Sequence, residues 1–385
     1  MSFPLASPAS AGSTFRPMNP LDSFGPVVRR RSPLIHTQAA LARGRLTIGF
    51  LGGSISAPGP GISWPEALVA WLVDTYPETR ITVENAALGA TGSELAAIRV
   101  QPEIIDRGCD LVFVEYAVND LGTAPGLRAR AREGVLRQLL RGGARDVVVV
   151  YTYGPDMQAD IFAGQVPASI ADFELLAEHY GLPSVWMSLH ALREVHRGLL
   201  RWEDWLPDGL HPAARGSLCY AQSVMAFLAE ALVPCRAGSA VPAGLPAPLV
   251  PGAWERVQLV PLEKLERTGP WTLRRWTTCP GVTQILLSSA PQAGLTVPFT
   301  GRGLVLAFDF GRVSGEIRYR IDGGAWQESV RDCPAWAGEA GWLRPLVIAE
   351  ELAPGPHRFE LQAVPGPGSA NRGTRTAIGL VGVIE

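Results

Sequence analysis

A serine and an aspartate–histidine pair are the residues whose types and spacing best suit acyl-transfer chemistry in this chain. Ser54 follows the apolar run "IGFLGG", and Asp208 precedes His211 by three residues in "DGLHP". An aspartate at this spacing can orient an imidazole through Nδ1, which leaves Nε2 free to act as a general base. A serine hydroxyl attacks an acyl carbon when such a base removes its proton. Taken singly, Ser54 also fits a turn and the Asp-x-x-His spacing also fits a structural role.

A serine nucleophile also needs donors for the oxyanion that forms when it attacks a carbonyl group. Two segments between Ser54 and His211 offer such donors. The small residues of "ENAALGATGS" (84–93) let the backbone come close to a ligand and direct N–H groups at it, although they also fit a tight turn. Asn119 in "EYAVND" can donate from its side-chain amide, or it can cap a helix.

The elements that carry these residues alternate between strand and helix. From residue 33 to residue 235, short apolar runs that predict strands alternate with amphipathic segments that predict helices. This alternation predicts a parallel sheet with helices on both faces. Ligands bind at the carboxyl ends of the strands in such sheets, and the candidate residues fall at strand ends or in a late loop.

The two ends of the chain have different patterns. Residues 236–252 are rich in Pro, Gly and Ala, which predicts a linker. Residues 253–385 alternate with a period of two and contain the hairpin signal "RIDGGAW", which predicts an all-β domain of the sandwich type. Residues 1–32 are predicted to be irregular, and Arg29–Arg31 to be a solvated charge run.

Composition argues against several classes of function. A formal net charge of −2 without a basic stripe gives no reason to expect a nucleic-acid partner, and no apolar run is long enough for a membrane span. The N-terminus lacks a signal-peptide pattern, so a cytoplasmic location is expected, or an extracellular or periplasmic one if a signal was removed. The 5 cysteines form no C-x-x-C pair, so no zinc or redox motif appears, and a Cys279–Cys333 disulfide stays open. The predicted serine chemistry needs no metal or cofactor.

Four segments follow one another along the chain: the one that ends in Ser54, residues 84–93, the one with Asn119, and the one with Asp208 and His211. In this order they resemble the segments of the SGNH hydrolases, also called the GDSL esterase/lipase family. The resemblance covers about residues 33–235 and implies a flavodoxin-like three-layer α/β/α domain with a central parallel sheet. It implies that Ser54 is the nucleophile, that His211 is the general base and that Asp208 orients the imidazole. It also implies an oxyanion hole made of the Asn119 side chain and backbone N–H groups of Ser54 and of the second segment.

The chain departs from the family pattern at three points. Gly53 replaces the Asp of Gly-Asp-Ser-Leu, an acid that is not part of the family's triad. The family commonly has Gly five residues after Asn85, where this chain has Ala90, so either Gly89 or Ala90 supplies the second-segment N–H. The family's Gly-x-Asn-Asp begins with Ala117 here, which can reshape the pocket floor without removing the amide donor.

Two acidic residues near Asn119 are candidates for substrate binding. Glu115 lies in a strand that is predicted to be buried, where it can fix a substrate hydroxyl or serve as a satisfied structural carboxylate. Asp120 follows Asn119 directly and is the second candidate.

These observations predict a serine esterase that works through an acyl-enzyme, with an O-acetylated carbohydrate as the first substrate class. Members of the family with a Gly-Gly-Ser variant and a β-sandwich partner are described as carbohydrate esterases, and tryptophans of the β-domain can stack on sugar rings or fill a core. A lipid or thioester acyl hydrolase and an acyltransferase on the same triad are alternatives. A non-catalytic carbohydrate-binding protein is the alternative from another class. The expected partner is a small-molecule or oligosaccharide ester.

Overall fold

The structure is a computed structural model that describes residues 20–59, 63–233, 244–276, 281–311, 313–329, 337, 342–365 and 373–385. Cys279 and Cys333 lie outside the described residues, so the predicted possibility of a disulfide between them also falls outside what the structure describes. Cys109 and Cys219 are buried free thiols. Within the described ranges, no helix is long and apolar enough to cross a membrane.

The first part of the chain folds around a six-stranded sheet. Its strands are β1 (Val28–Arg29), β2 (Arg45–Gly52), β3 (Arg80–Asn85), β4 (Leu111–Glu115), β5 (Asp146–Val150) and β6 (Ser184–Val185). The strand order is β1-β6-β5-β4-β2-β3; β2 to β6 run parallel, and β1 pairs antiparallel with β6. Every residue of β4 and β5 is buried, as expected for apolar strands covered on both faces.

Helices cover this sheet in two groups. The helices are α1 (Ile35–Ala42), α2 (Trp64–Thr75), α3 (Ser93–Val100), α4 (Pro125–Leu140), α5 (Gln158–Phe162), α6 (Ala168–His179), α7 (Met187–His196), α8 (Trp202–Trp205) and α9 (Ala214–Ala231). Helices α2 and α7 pack on α9, whereas α3 and α6 pack on α4. The predicted three-layer α/β/α domain is thereby confirmed. Chain direction across the sheet reverses between β2 and β4, and ligands bind at such a switch point in flavodoxin-like sheets.

The segment before α1 is more ordered than predicted. Val28 pairs with Val185, which makes β1 an edge strand of the sheet. Arg31 forms an ion pair with Glu174 and donates to the Leu182 carbonyl oxygen at 2.8 Å, and its side chain is only 15% exposed. The prediction of an irregular segment is therefore wrong for Val28 and Arg29, and the prediction of a solvated side chain is wrong for Arg31, whereas the Arg30 side chain is 50% exposed as expected. The partners of Val28 and Arg31 lie about 150 residues away in the chain, so the local pattern carries no sign of them.

The C-terminal part is an antiparallel β-sandwich, as predicted. Its strands are β7 (Val257–Leu259), β8 (Glu266–Thr268), β9 (Thr272–Arg275), β10 (Gln284–Ser288), β11 (Gly294–Gly301), β12 (Gly303–Phe310), β13 (Glu316–Ile321), β14 (Gln327–Glu328), β15 (Trp342–Ala349), β16 (Gly355–Val364) and β17 (Thr376–Ile384). One sheet has the order β15-β12-β17-β10-β9 with β7 beside β17, and the other has the order β14-β13-β16-β11-β8. Apolar side chains of both sheets form a core between them.

The β-sandwich is docked firmly on helix α4. Trp254 is fully buried, and its carbonyl oxygen accepts a hydrogen bond from Gln138 Nε2 at 2.9 Å. A Cβ atom on Gly134 would lie 2.6 Å from that same oxygen, so only glycine allows this approach. In the segment predicted to be a linker, the N–H groups of Leu249 and Val250 donate to the carboxylate of Glu133. This docking brings β15 close to α3 and to the loops after β3 and β4.

Candidate active site

Ser54, His211 and Asp208 form a continuous series of hydrogen bonds. Ser54 Oγ lies 2.8 Å from His211 Nε2, although 157 residues separate the two in the chain. His211 Nδ1 lies 2.8 Å from Asp208 Oδ2. When Nδ1 carries the ring proton and donates it to the carboxylate, Nε2 accepts a hydrogen bond from the serine hydroxyl. The structure therefore brings the three predicted triad residues together in the geometry that proton removal from serine requires.

The loop before α9 organises the aspartate–histidine pair locally. Asp208 Oδ1 accepts the N–H groups of Leu210 and His211 at 2.9 and 2.7 Å, and Gly209 has φ +83°, which permits the tight turn. Partial burial acts to raise the pKa of Asp208, but the hydrogen bonds from the His211 ring and from the two N–H groups outweigh it and lower the pKa to about 2. Asp208 is therefore an anion at neutral pH. The side chains of Asp208 and His211 remain 54% and 46% exposed.

The two glycines before Ser54 are required for space. A Cβ atom on Gly52 would lie 2.9 Å from Ser56 Oγ, and one on Gly53 would collide with the side-chain amide of Asn119. Neither glycine has a positive φ. The Asp of the family's name motif has no room at position 53 while Asn119 occupies this place. The collision also shows how close the Asn119 amide lies to the nucleophile loop.

The segment after β3 is hydrogen-bonded to the nucleophile loop. Leu88 N–H donates to the Gly52 carbonyl oxygen at 2.9 Å. Asn85, which ends β3, donates from Nδ2 to the Ser56 carbonyl oxygen at 3.0 Å and accepts the Ala87 N–H at 3.0 Å. Sequence reasoning used Asn85 only as a counting reference and missed this bridging role. Its position at a strand end, before small residues, was the available signal.

These bonds place the predicted oxyanion residues of the second segment beside the serine. A Cβ atom on Gly89 would lie 3.6 Å from the Ser54 Cβ atom. Ala90 has φ +58°, the left-handed region, which costs a non-glycine residue about 1 kcal/mol. The family's usual glycine at this position is explained by that conformation, and the chain tolerates an alanine because the surrounding bonds hold the turn.

A buried carboxylate connects the two segments that carry oxyanion candidates. Asp120, the neighbour of Asn119, accepts the Ser93 N–H at 2.8 Å and Arg132 Nε at 2.6 Å. Ser93 begins α3, directly after the turn that contains Ala90. The side chains of Asp120 and Arg132 are completely inaccessible to solvent. The predicted substrate contact is therefore wrong for Asp120, because the backbone and an arginine already occupy its carboxylate.

Glu115 lies beneath the nucleophile loop rather than in a pocket. Its oxygens accept hydrogen bonds from Thr152 Oγ1 at 2.8 Å and Ser56 Oγ at 3.2 Å, and its side chain is fully buried. Burial raises the pKa of Glu115 to about 7, although the hydrogen bonds from Thr152, from Ser56 and from the Gly53 N–H oppose the shift. A substrate cannot reach this carboxyl group, so the predicted substrate contact is wrong for Glu115 as well.

A cleft of about 570 Å³ opens beside the oxyanion candidates. Ala90 and Asn119 line it on the α/β side together with Glu94 of α3, and Trp342 and Arg344 of β15 line it on the β-sandwich side. Sequence reasoning considered the tryptophans of the β-domain only as a group and did not identify Glu94 or Arg344. The spacing of two residues between Trp342 and Arg344 indicates that their side chains share one face of a strand, but it does not show what that face packs against. Among the described residues, no group of three or more metal-ligating side chains is placed to hold a metal ion.

The fold and the hydrogen-bonded serine, histidine and aspartate define the class of an α/β serine hydrolase. Residues 50–217 match the model of the GDSL-like Lipase/Acylhydrolase family. The α/β part of the chain thus contains a GDSL-like acylhydrolase domain, and the protein is a serine hydrolase of the SGNH type, as the sequence predicted.

Solved structures with the same fold include one that matches both domains. A two-domain esterase, CEX, described as active on acetylated mannans, superposes with a TM-score of 0.78 at 19% identity, over 94% of this chain and 98% of that chain. The same esterase co-crystallized with mannopentaose gives a TM-score of 0.75 at 19% identity, over 94% and 97% of the two chains. Axe2, an acetylxylan esterase from Geobacillus stearothermophilus, covers 50% of this chain and 97% of its own at 19% identity, with a TM-score of 0.38. No curated protein sequence matches this chain.

Proposed function

We propose that this protein is a serine esterase that removes acetyl groups from a carbohydrate through an acyl-enzyme. The observation that carries the proposal is the series Ser54–His211–Asp208, with two distances of 2.8 Å, beside a cleft that borders the oxyanion candidates. The family supplies the class of acyl hydrolase. The carbohydrate is supported by the likeness of both domains to an esterase described as active on acetylated mannans.

In the first half of the reaction, Ser54 Oγ attacks the ester carbonyl carbon and its proton passes to His211 Nε2. The carbonyl oxygen becomes an oxyanion, which the Asn119 amide and the backbone N–H groups of Ser54 and of the Gly89–Ala90 turn stabilise. The tetrahedral intermediate collapses when the bond to the sugar oxygen breaks. His211 returns its proton to that oxygen, so the alcohol leaves neutral and Ser54 carries the acetyl group.

In the second half, water replaces the alcohol. His211 removes a proton from the water as the oxygen attacks the acyl carbon, and the same donors stabilise the second oxyanion. The bond to Ser54 Oγ then breaks, His211 returns the proton to the serine, and acetic acid leaves and loses its remaining proton to solvent. Asp208 stays ionised throughout, because its hydrogen bonds hold its pKa at about 2.

Kinetics of a serine variant test this proposal. Ser54→Ala is expected to lower turnover of p-nitrophenyl acetate at least ~10³-fold, because the attacking hydroxyl is lost. Ser23→Ala, at an exposed serine whose hydroxyl donates to the carbonyl oxygens of Pro20 and Gly164, is the matched control. Acetate release from partially acetylated manno-oligosaccharides tests the substrate class in the same proteins. Unchanged turnover in the Ser54 variant would sink the mechanism, and transfer of acetyl to an added sugar in place of water would identify an acyltransferase.

A further inference from the structure

We propose that the β-sandwich completes the substrate site, and that Trp342 and Arg344 on β15, facing Glu94 on α3, bind the sugar that carries the acetyl group. This inference rests on the proposed function and extends it to a named subsite with a neutral sugar as its ligand. It assigns the recognition of the leaving alcohol to a domain that carries none of the proposed catalytic residues.

The position of the cleft supports this assignment. Ala90 and Asn119, which carry or adjoin the proposed oxyanion donors, line the same cleft as Trp342 and Arg344. An ester whose carbonyl oxygen reaches those donors therefore has its alcohol portion within reach of the cleft. A volume of about 570 Å³ is in the range of small-molecule sites and accommodates a sugar residue.

The face that β15 presents has the chemistry of a sugar site. Trp342 and Arg344 are two residues apart on one strand, so their side chains lie on the same face of the sheet. The Arg344 guanidinium carbon lies 5.8 Å from the centroid of the Trp342 ring, Trp342 is partly exposed and Arg344 is exposed. An indole face packs on the C–H groups of a sugar ring, and a guanidinium group offers several donors to its hydroxyl oxygens.

Glu94 adds an acceptor on the opposite wall. One carboxylate oxygen, Oε2, is buried and has no hydrogen-bond partner among the described residues. A buried acceptor without a donor is costly, and a sugar hydroxyl would supply one. Burial and the neighbouring Asp120 charge raise the pKa of Glu94 to about 7, while a hydrogen bond from its own backbone N–H and the positive charges of Arg132 and Arg344 act against this shift. The described residues that line the cleft include one acidic and one basic side chain, Glu94 and Arg344, and no cluster of cations, so the cleft suits a neutral sugar better than a uronic acid.

The wall formed by β15 is held in place by its pairing with β12, in which Trp342 lies opposite Phe310 and Arg344 opposite Phe308. The other end of the strand is anchored to α4. Glu350 follows β15 directly and forms a two-point ion pair with Arg130 of α4, with Nε–Oε2 and Nη2–Oε1 distances of 2.9 and 2.5 Å. Glu350 also accepts from the Trp254 indole at 3.2 Å. Preorganised groups bind a ligand without a large loss of conformational entropy.

The test compares two substrates in the same proteins. We define a specificity ratio as kcat/KM for partially acetylated manno-oligosaccharides divided by kcat/KM for p-nitrophenyl acetate, which has no sugar. Trp342→Ala is expected to lower this ratio about tenfold, since the stacking surface is lost. Arg344→Ala is expected to lower it several-fold, and Trp342→Phe to retain part of it because a ring remains. Trp326→Ala is the matched control and is expected to keep the parent ratio.

Trp326 suits this comparison because it is a second β-sandwich tryptophan beside arginines. Its ring centroid lies 4.9 and 4.6 Å from the guanidinium carbons of Arg318 and Arg320, on the other sheet and outside the cleft. A parent-like ratio in both Trp342→Ala and Arg344→Ala, in proteins with parent-like melting temperatures, would overturn the proposal.

A binding measurement separates failure of this inference from failure of the proposed function. If the parent hydrolyses neither substrate, the proposed function fails. Calorimetry with unacetylated mannopentaose and the Ser54→Ala protein then decides the subsite by itself. Binding that is lost when Trp342→Ala is added supports the subsite, whereas equal affinity, or no binding to either protein, contradicts it.

Discussion

The two sides of the candidate site are held in different ways. Asp208 and His211 lie in an exposed loop, and among the described residues the carboxylate bonds only to those two and three positions further along the chain. Asn119 lies beside Asp120, whose carboxylate is inaccessible to solvent and bonds to Ser93 and Arg132, which are 27 and 12 residues away. The acid–base side is thus a local motif at the surface, and the oxyanion side is a tertiary construction in the interior.

This difference teaches where each kind of substitution acts. Changes on the exposed side remove chemistry and leave the fold intact, because little packing depends on them. Changes on the buried side disturb chemistry and stability together, since the same groups hold strands, a helix start and a turn in register. Substitutions on the two sides therefore test that contrast.

Asp208→Asn breaks the exposed side. We expect kcat/KM for p-nitrophenyl acetate to fall by about 10³-fold or more, because the amide no longer stabilises the imidazolium ion that forms on His211. The melting temperature is expected to stay close to that of the parent. Steady-state kinetics and thermal unfolding measure the two quantities. Asp204→Asn, at an aspartate that pairs with Arg201 on the surface, is the control. A loss of less than tenfold would contradict the orienting role.

Asp120→Asn breaks the buried side. The amide can still accept the Ser93 N–H, but Arg132 is left as a buried charge without a carboxylate, which costs about 3–5 kcal/mol of unfolding free energy. Denaturant titration measures this change. The control is Asp204→Asn, which removes the carboxylate from a surface pair with Arg201, where the arginine and aspartate side chains are 77% and 40% exposed, so its expected cost is much smaller than that of Asp120→Asn. Equal costs for the two variants would refute the contrast.

Gly53→Asp restores the family's name motif and is nevertheless expected to damage this protein. The new side chain collides with the Asn119 amide, so the proposed oxyanion donor moves and kcat falls by about 10²–10³-fold. Gly59→Asp, at a glycine with open space around its Cα atom, is the matched control. A variant with parent-like kcat would show that Asn119 is not needed where the structure places it.

Glu115→Gln tests the buried side of the site through the pH dependence of stability. Burial raises the native pKa of Glu115 to about 7, above its ordinary value of 4.5, so the native state binds more protons than the unfolded state between these pH values. The stability contribution of Glu115 is therefore full below pH 4.5 and declines as the pH rises to 7, on the order of 2 kcal/mol. The variant is expected to lose less stability than the parent between pH 5 and 8. Melting temperatures across that range measure the effect, with exposed Glu66→Gln as the control. If the melting temperatures of parent and variant changed with pH in parallel, the predicted contribution of Glu115 would be refuted.

The architecture was predictable because its signals are periodic and local. Alternating apolar runs and amphipathic segments predicted the α/β/α layers, and a period of two predicted the sandwich, since each pattern reflects which face of an element is buried. The ion pair of Arg31 with Glu174 and the buried positions of Glu115 and Asp120 were not predictable in this way. The residue type of a carboxylate is the same whether it contacts a substrate or an arginine, and only the tertiary packing around it distinguishes the two cases.

The sequence by itself determined the local chemistry of this protein. The Asp208-x-x-His211 loop needs only a tight turn at Gly209, and Ser54 needs only a strand that ends before it, so motif and spacing were sufficient to name them. The tertiary structure decided which groups surround that chemistry. It decided that Asn119 fills the space beside Gly53, and that a strand of a second domain borders the cleft, because these contacts join residues that have no fixed spacing along the chain.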